Sequence, residues 1–362
     1  MRKNTTEQAV VSRRVDSGSI RRILLRSTNW VGDAVLTTPA IRGVRKNFPD
    51  ADIAILAKPG VAPIFYSNPH VDHVIVYDSA GRHAGWLGKV RLARQLRRHK
   101  FDLVILFQNA FEAALLAYLA GIPNRVGYGT DCRGIFLTHS IRVKPWHKQV
   151  HEIDYYLGIL QGAGLSPDGR DLTLVVSEQD RQSAKAILTS HNISAGDRLL
   201  GLSPGSTYGS AKRWFPERFA AVGDRLYESH GLHIIIIGSP GEEAVGRRVS
   251  ESMKHESVNL CGKTSLGEAM ALIERCRLFI TNDSGLMHVA AAIGIPLVAI
   301  FGSTNPATTG PSSQRSCIVR VPVPCSPCLK PECPVDHRCM KEITVEMVYA
   351  AADAMLAEKK EQ

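Results

Sequence analysis

Short runs of apolar, often β-branched residues alternate along this chain with stretches of helical periodicity, and the alternation occurs twice. In the first half the apolar runs fall at 23–26, 52–57, 73–77, 102–107 and 125–128, with helical patterns at 34–47, 89–99 and 112–120. In the second half they fall at 199–202, 232–237, 278–281, 297–301 and 317–321, with helical patterns at 216–228, 242–253, 266–274 and 285–292. Several runs lack in-and-out alternation, as expected of strands covered on both faces. Strands alternating with helices predict parallel sheets with right-handed crossovers. The fold class is therefore α/β, with two Rossmann-like, doubly wound parallel-sheet domains facing across a cleft. In such folds ligands bind outside the carboxyl ends of the strands.

The expected organisation is a flexible basic tail (1–20), an N-terminal domain (21–170), a C-terminal domain (171–342) and a closing helix (343–362). The stretch LSPDGRDLTLVVSEQD, rich in Pro, Gly and Asp, reads as the hinge region between the halves.

Composition narrows the partners. Hydrophobic residues make up 44% and charged residues 22% of 362 positions, which is globular rather than disordered. No apolar run approaches the roughly 18–20 residues of a membrane span. The first twenty residues have no apolar signal core, so a cytoplasmic chain is expected. A formal net charge of +10 favours polyanions, with one cluster at Arg91, Arg94, Arg97, Arg98 and Lys100. No cationic stretch interleaves aromatic stacking residues, so nucleic acid is the weaker choice among polyanions. An anionic membrane surface or a phosphorylated glycolipid remains, and so does a simple solubilising role.

Four segments could carry chemistry. The first βα turn, Arg26-Ser-Thr-Asn-Trp-Val-Gly-Asp33, has only Gly32 where a dinucleotide fingerprint needs three glycines, which argues against hydride transfer. Asp33 reads equally well as a helix N-cap or as a general base at the mouth of a cleft. The loop from Ser203 to Trp214 offers small residues, the hydroxyls of Ser206 and Thr207, and Lys212 just before a helix, which suits a diphosphate. An ordinary polar βα loop is the alternative. The segment Thr281-Asn-Asp-Ser-Gly-Leu-Met-His288 again runs from strand into helix, where Asp283, Ser284 and Gly285 could meet a second phosphate. His288, one turn into that helix, reads more readily as a structural hydrogen-bonding group. Glu242, closing Gly238-Ser-Pro-Gly-Glu242, could hold a ribose diol or simply be a solvated first-turn acid.

Cys325, Cys328, Cys333 and Cys339 form a C-x2-C-x4-C-x5-C run. The first pair has zinc-like spacing, but one compact stretch with three prolines favours free thiols over a structural zinc site.

Taken together, NWVGDAVLTTPAIRGVRKNFPDADIAIL, SPGSTYGSAKRWFPERFAAV, TNDSGLMHVAAAIGIPLVAIFG and CSPCLKPECPVDHRCM resemble the ADP-heptose:lipopolysaccharide heptosyltransferases, glycosyltransferase family 9. The resemblance spans about 23–356. The cysteine-rich segment together with AKRW looks most like the branch that adds the second inner-core heptose.

The resemblance implies a GT-B fold and an inverting, metal-independent transfer from ADP-L-glycero-D-manno-heptose to the heptosyl-Kdo2-lipid A inner core. It implies Asp33 as catalytic base and Lys212, with Ser206 and Thr207, on the donor diphosphate. Asp283, Ser284, Gly285 and His288 would form the second diphosphate segment, with Glu242 at the ribose and Thr264 near the adenine. Arg125 and Arg133 are acceptor candidates by position alone. No cofactor is required under this reading. Its partners are ADP-heptose and an anionic phosphorylated glycolipid, with peripheral contact at the inner membrane surface. Two alternatives stay open: a transferase of the same family with another sugar or acceptor, and a nucleotide- or glycan-binding protein without turnover.

Overall fold

The computed structural model describes residues 14–357. Residues 1–13 of the expected tail and 358–362 of the expected closing helix lie outside the described residues. The chain divides into two compact units after Asp171.

The first unit runs β1 (Arg22–Arg26), α1 (Val31–Leu36), α2 (Thr38–Asn47), β2 (Asp52–Ala57), β3 (His73–Val76), α3 (Gly85–Arg98), β4 (Leu103–Leu106), α4 (Phe111–Leu119), β5 (Asn124–Tyr128), β6 (His139–Ile141) and α5 (Glu152–Gly162). Its six strands lie in the order β3-β2-β1-β4-β5-β6, all parallel. Strand order reverses between β1 and β4, so the loops after those two strands flank the sheet's switch point.

The single helix predicted at 34–47 is two helices. Pro39 has no N–H for the carbonyl of Val35 four residues back. The Thr38 hydroxyl takes that carbonyl instead at 2.7 Å, and Thr37 takes Ala34 O at 2.7 Å. The chain thus breaks at Thr37 without leaving these acceptors unmet.

The second unit runs α6 (Glu178–Ser190), β7 (Leu199–Ser203), α7 (Pro216–His230), β8 (His233–Ile236), α8 (Glu243–Ser252), β9 (Ser257–Asn259), α9 (Leu266–Glu274), β10 (Cys276–Asn282), α10 (Gly285–Ile293), β11 (Leu297–Ile300), α11 (Pro306–Thr309), β12 (Ser316–Val319), α12 (Arg338–Lys341) and α13 (Val345–Ala357). The order β12-β11-β10-β7-β8-β9 is again wholly parallel, with its reversal between β7 and β10. Trp214 is buried against Phe219 and donates its indole N–H to Ile343 O at 3.0 Å. This anchors the chain that leads into α13, which packs on α7.

Each sheet has one strand more than the five apolar runs predict. The additions, His-Ser-Ile in β6 and Ser-Val-Asn in β9, are three-residue edge strands with no apolar run to betray them. Helix α6 begins inside the segment read as a hinge, with Ser177 capping it by accepting from Asp180 N at 3.0 Å.

Candidate functional site

In the second unit the candidate residues gather at the carboxyl ends of β7, β8, β9 and β10. Lys212 Nζ lies 2.7 Å from Asp283 Oδ2, joining the loop after β7 to the loop after β10 across the switch point. Thr304, after β11, donates to the same carboxylate at 2.6 Å. Lys212 also stands 4.8 Å over the Tyr208 ring. Ser206 is buried, with its hydroxyl 3.5 Å from Asp283 O, whereas Thr207 is exposed.

Asn282 is fully buried and ties the two loops. It accepts from Trp214 N at 3.0 Å and donates to Pro204 O at 2.7 Å and Gly205 O at 3.3 Å. A buried amide so fully partnered fixes backbone positions on both sides of the switch point. Ser284 occupies the N-cap of α10 and Gly285 its first position, with no side chain capping the N–H groups there. That helix end, with Lys212 beside it, suits a polyanion. His288 is buried one turn further in.

Glu242 is buried, and its carboxylate accepts from Ser239 N at 2.7 Å and Ser239 Oγ at 2.8 Å. It lies against Gly205, where an added Cβ would stand 2.1 Å from Glu242 Oε1. A side chain at position 205 would displace the Glu242 carboxylate from this place. Thr264 is half-buried in the turn after β9, and Gly262 N in that turn donates to Gly238 O at 2.9 Å. Ser206, Lys212, Glu242, Asp283, Ser284 and Gly285 thus share one end of the sheet.

The cysteine-rich segment braces this end from outside. Ala211 N donates to Pro331 O at 3.0 Å, Tyr208 Oη to Leu329 O at 2.9 Å, and Leu329 N to Ser303 O at 2.9 Å. Cys325, Cys328, Cys333 and Cys339 carry free thiols. Burial first, then the neighbouring cysteines, raises the Cys339 thiol above its usual range. Among the described residues no group of three or more His, Cys, Asp or Glu side chains could hold a metal ion.

In the first unit α1 begins at Val31 with Trp30 at the N-cap, so Asp33 is the third helical residue and not the cap. The cap alternative is thereby set aside, and the carboxylate stays half-buried in the first turn. Glu152 opens α5, which packs on α1. Burial, and after it the charge of Asp33, pushes the Glu152 carboxyl up to about 7. Burial first, and after it the charges of Asp33 and Glu152, hold the Tyr156 phenol well above its usual range. Sequence reasoning missed Glu152 because α5 was not read as an element.

Beneath the turn that carries Asp33 lies Arg26, almost wholly buried. It donates to Ser27 O at 2.6 Å, Leu56 O at 3.2 Å and Asn29 Oδ1 at 3.2 Å. Burial lowers this guanidinium to about 10, and the Tyr77 ring 5.5 Å away stands in for a counter-ion.

The two acceptor candidates are engaged elsewhere. Arg133 is fully buried and donates to Tyr128 O at 2.7 Å, to Gln108 O and to Asn109 Oδ1 at 2.8 Å. Arg125 donates to Phe136 O at 2.5 Å, to Ile122 O and to Pro123 O at 3.3 Å. Both clamp backbone carbonyls of β-sheet loops. As placed, Arg133 offers no exposed donor to a ligand, which corrects the expectation from position.

Comparison with known proteins shows the family and the fold. The family described as "Glycosyltransferase family 9 (heptosyltransferase)" matches residues 89–338. The chain is 30% identical over 312 residues to lipopolysaccharide heptosyltransferase 2 of Escherichia coli (strain K12), covering 83% of this chain and 88% of that protein. The structure of E. coli ADP-heptose lps heptosyltransferase II superposes with a TM-score of 0.80 at 26% identity, covering 94% and 99% of the two chains. A glycosyltransferase family 9 structure from Veillonella parvula gives 0.83 at 29% identity, covering 94% and 98%.

Proposed function

Because the chain belongs to glycosyltransferase family 9 and is a glycosyltransferase, we propose that it transfers heptose from ADP-L-glycero-D-manno-heptose to the heptosyl-Kdo2-lipid A inner core of lipopolysaccharide. The observation that carries the donor assignment is the Lys212–Asp283–Thr304 cluster beside the uncapped end of α10. A departing nucleoside diphosphate gains negative charge as its bond to the sugar breaks. A lysine and a helix N-terminus already fixed there stabilise that charge without reorganising. The reaction in this form needs no divalent cation. Ser206, Thr207, Asp283, Ser284, Gly285 and His288 complete the diphosphate end, with Glu242 at the ribose and Thr264 toward the base.

Asp33 is the proposed base. It takes the proton from the acceptor heptose hydroxyl as that oxygen attacks the anomeric carbon. ADP leaves from the opposite face with the bonding electron pair, so one displacement inverts the configuration. No covalent intermediate on a second carboxylate is required. The acceptor is anionic and lipid-anchored, which brings the enzyme to a membrane surface from the cytoplasmic side. No helix among the described residues is long and apolar enough to cross a membrane, so this contact is peripheral in the proposal.

The test is ADP release from ADP-L-glycero-D-manno-heptose with monoheptosylated Kdo2-lipid A as acceptor and EDTA present. Acceptor-dependent release is the expected result. Donor binding without release on this acceptor would refute the acceptor assignment and leave the nucleotide site standing.

A further inference from the structure

Helix α3 presents a face that the catalytic proposal does not use. Trp86 and Leu87 in its first turn are 60% and 81% exposed. Leu87, Arg91, Arg94 and Arg98 follow one another at steps of four, three and four residues, so they lie along one side of the helix. All four are exposed. The helix carries five cations and no acid. Lys89 is committed to Glu112 at 2.7 Å and Arg97 to Leu119 O at 2.7 Å. Among the described residues, Arg94 and Arg98 form no hydrogen bond or ion pair. Helix α4, packed beside α3, adds Phe111 and Tyr118 at 41% and 52% exposure.

Single exposed apolar side chains are ordinary on a protein surface. An indole and a leucine at the head of an exposed arginine stripe, in which Arg91 alone has a partner (Arg82 O at 3.2 Å) and none meets an acid, are a different matter. The apolar face of α3 is packed in the core, so the combination suits a shallower contact, with the two exposed apolar side chains entering a lipid interface and the cations beside them at the headgroups. A nucleic-acid surface would have no use for Leu87, whose exposure offers nothing to a phosphate backbone or a base face.

We propose that this face of α3 docks the first unit on an anionic bilayer. Trp86 and Leu87 enter the interface, while Arg91, Arg94 and Arg98 meet phosphate headgroups. The inference rests on the lipid-anchored acceptor proposed above, because such an acceptor is held in the same surface. Binding strengthens with the anionic lipid fraction and weakens with salt.

The experiment is co-sedimentation of the full chain with phosphatidylglycerol–phosphatidylethanolamine vesicles and with phosphatidylcholine vesicles. It compares the wild type with Trp86→Ser/Leu87→Ser and with Arg91→Gln/Arg94→Gln/Arg98→Gln. The wild type is expected on the anionic vesicles only. Each lost cation should weaken partitioning about fivefold, so the triple variant should lose roughly a hundredfold. The apolar pair should lose on the order of tenfold.

All five positions are exposed, so thermal midpoints should stay within a few degrees. Turnover on a deacylated, water-soluble acceptor should match the wild type. Unchanged vesicle binding in both variants overturns the inference, as does equal binding to zwitterionic vesicles. Binding to duplex RNA with none to vesicles overturns it too. If vesicle binding behaves as described but no acceptor is ever heptosylated, the docking face stands and the proposed function falls.

Discussion

Lys212 and Asp283 meet at 2.7 Å where both side chains are largely withdrawn from solvent, 14% and 5% exposed. Water screens such a pair poorly, so each charge depends on the other. Asp283 holds the ammonium at the switch point before any substrate arrives, and Thr304 holds Asp283. The cation is therefore set at one place at the end of the sheet, and an incoming diphosphate would add to a fixed arrangement.

Replacing Lys212 by Ala removes the cation and leaves the buried Asp283 carboxylate facing the donor phosphates. The expected loss in kcat/KM is on the order of 10²–10³, the scale of a removed charge-stabilising donor. ADP affinity should fall by less, because the bound diphosphate carries less charge at the bridging oxygen than the departing one. Steady-state kinetics beside ADP calorimetry checks this. Equal losses in both would make Lys212 a binding group only.

Asp33→Asn keeps the size of the side chain and removes the proton acceptor. Turnover should fall by on the order of 10²–10⁴. ADP affinity should hold within about twofold, since every proposed donor contact lies in the other unit. The thermal midpoint should stay within a few degrees, because relieved repulsion with Glu152 offsets the loss of a favourable first-turn charge. Normal turnover in this variant would end the base assignment.

Glu152 gives the first unit a pH signature. Its carboxyl is pushed up to about 7 from the ordinary 4.5, by burial first and by Asp33 second. A raised pKa means that the folded chain holds this proton where the unfolded chain has released it. The associated stability is fully present below about 4.5 and is lost as pH rises through about 7. The loss is on the order of 1–3 kcal/mol. Glu152→Gln stays neutral throughout, so its midpoint should equal that of the wild type near pH 4 and exceed it increasingly up to pH 8. Parallel curves across that range would show that the carboxyl titrates normally.

How much of this was legible beforehand depended on the kind of signal. The repeated strand–helix rhythm announced both sheets, because central strands buried on two faces must be apolar throughout. The loops around Lys212 and Asp283 were legible because small residues and a lysine between strand and helix are a local signature. Glu152, Arg26, Asn282 and Thr304 were not. Their roles come from partners far along the chain, as when Arg26 reaches Leu56 or Thr304 reaches Asp283. Arg133 shows the converse: a loop arginine looked available in sequence, yet the fold spends its donors on carbonyls.

The brace between the cysteine-rich segment and the donor loop leads to the last prediction. Gly209 has φ +157, and an added Cβ would stand 2.1 Å from Pro331 O, the acceptor of the Ala211 N–H. Gly209→Ala must therefore push the two segments apart, since the contact is with backbone and not with a side chain that could swing away. Lys212 lies three residues on and loses the support that sets its position. The expected result is a several-fold rise in donor KM, with a stability loss on the order of 1–3 kcal/mol. Vesicle binding should not change, because α3 lies in the other unit. Donor kinetics and a thermal melt of the same variant decide the matter. Destabilisation with an unaltered donor KM would mean that the segment supports the fold without setting the geometry of the donor loop.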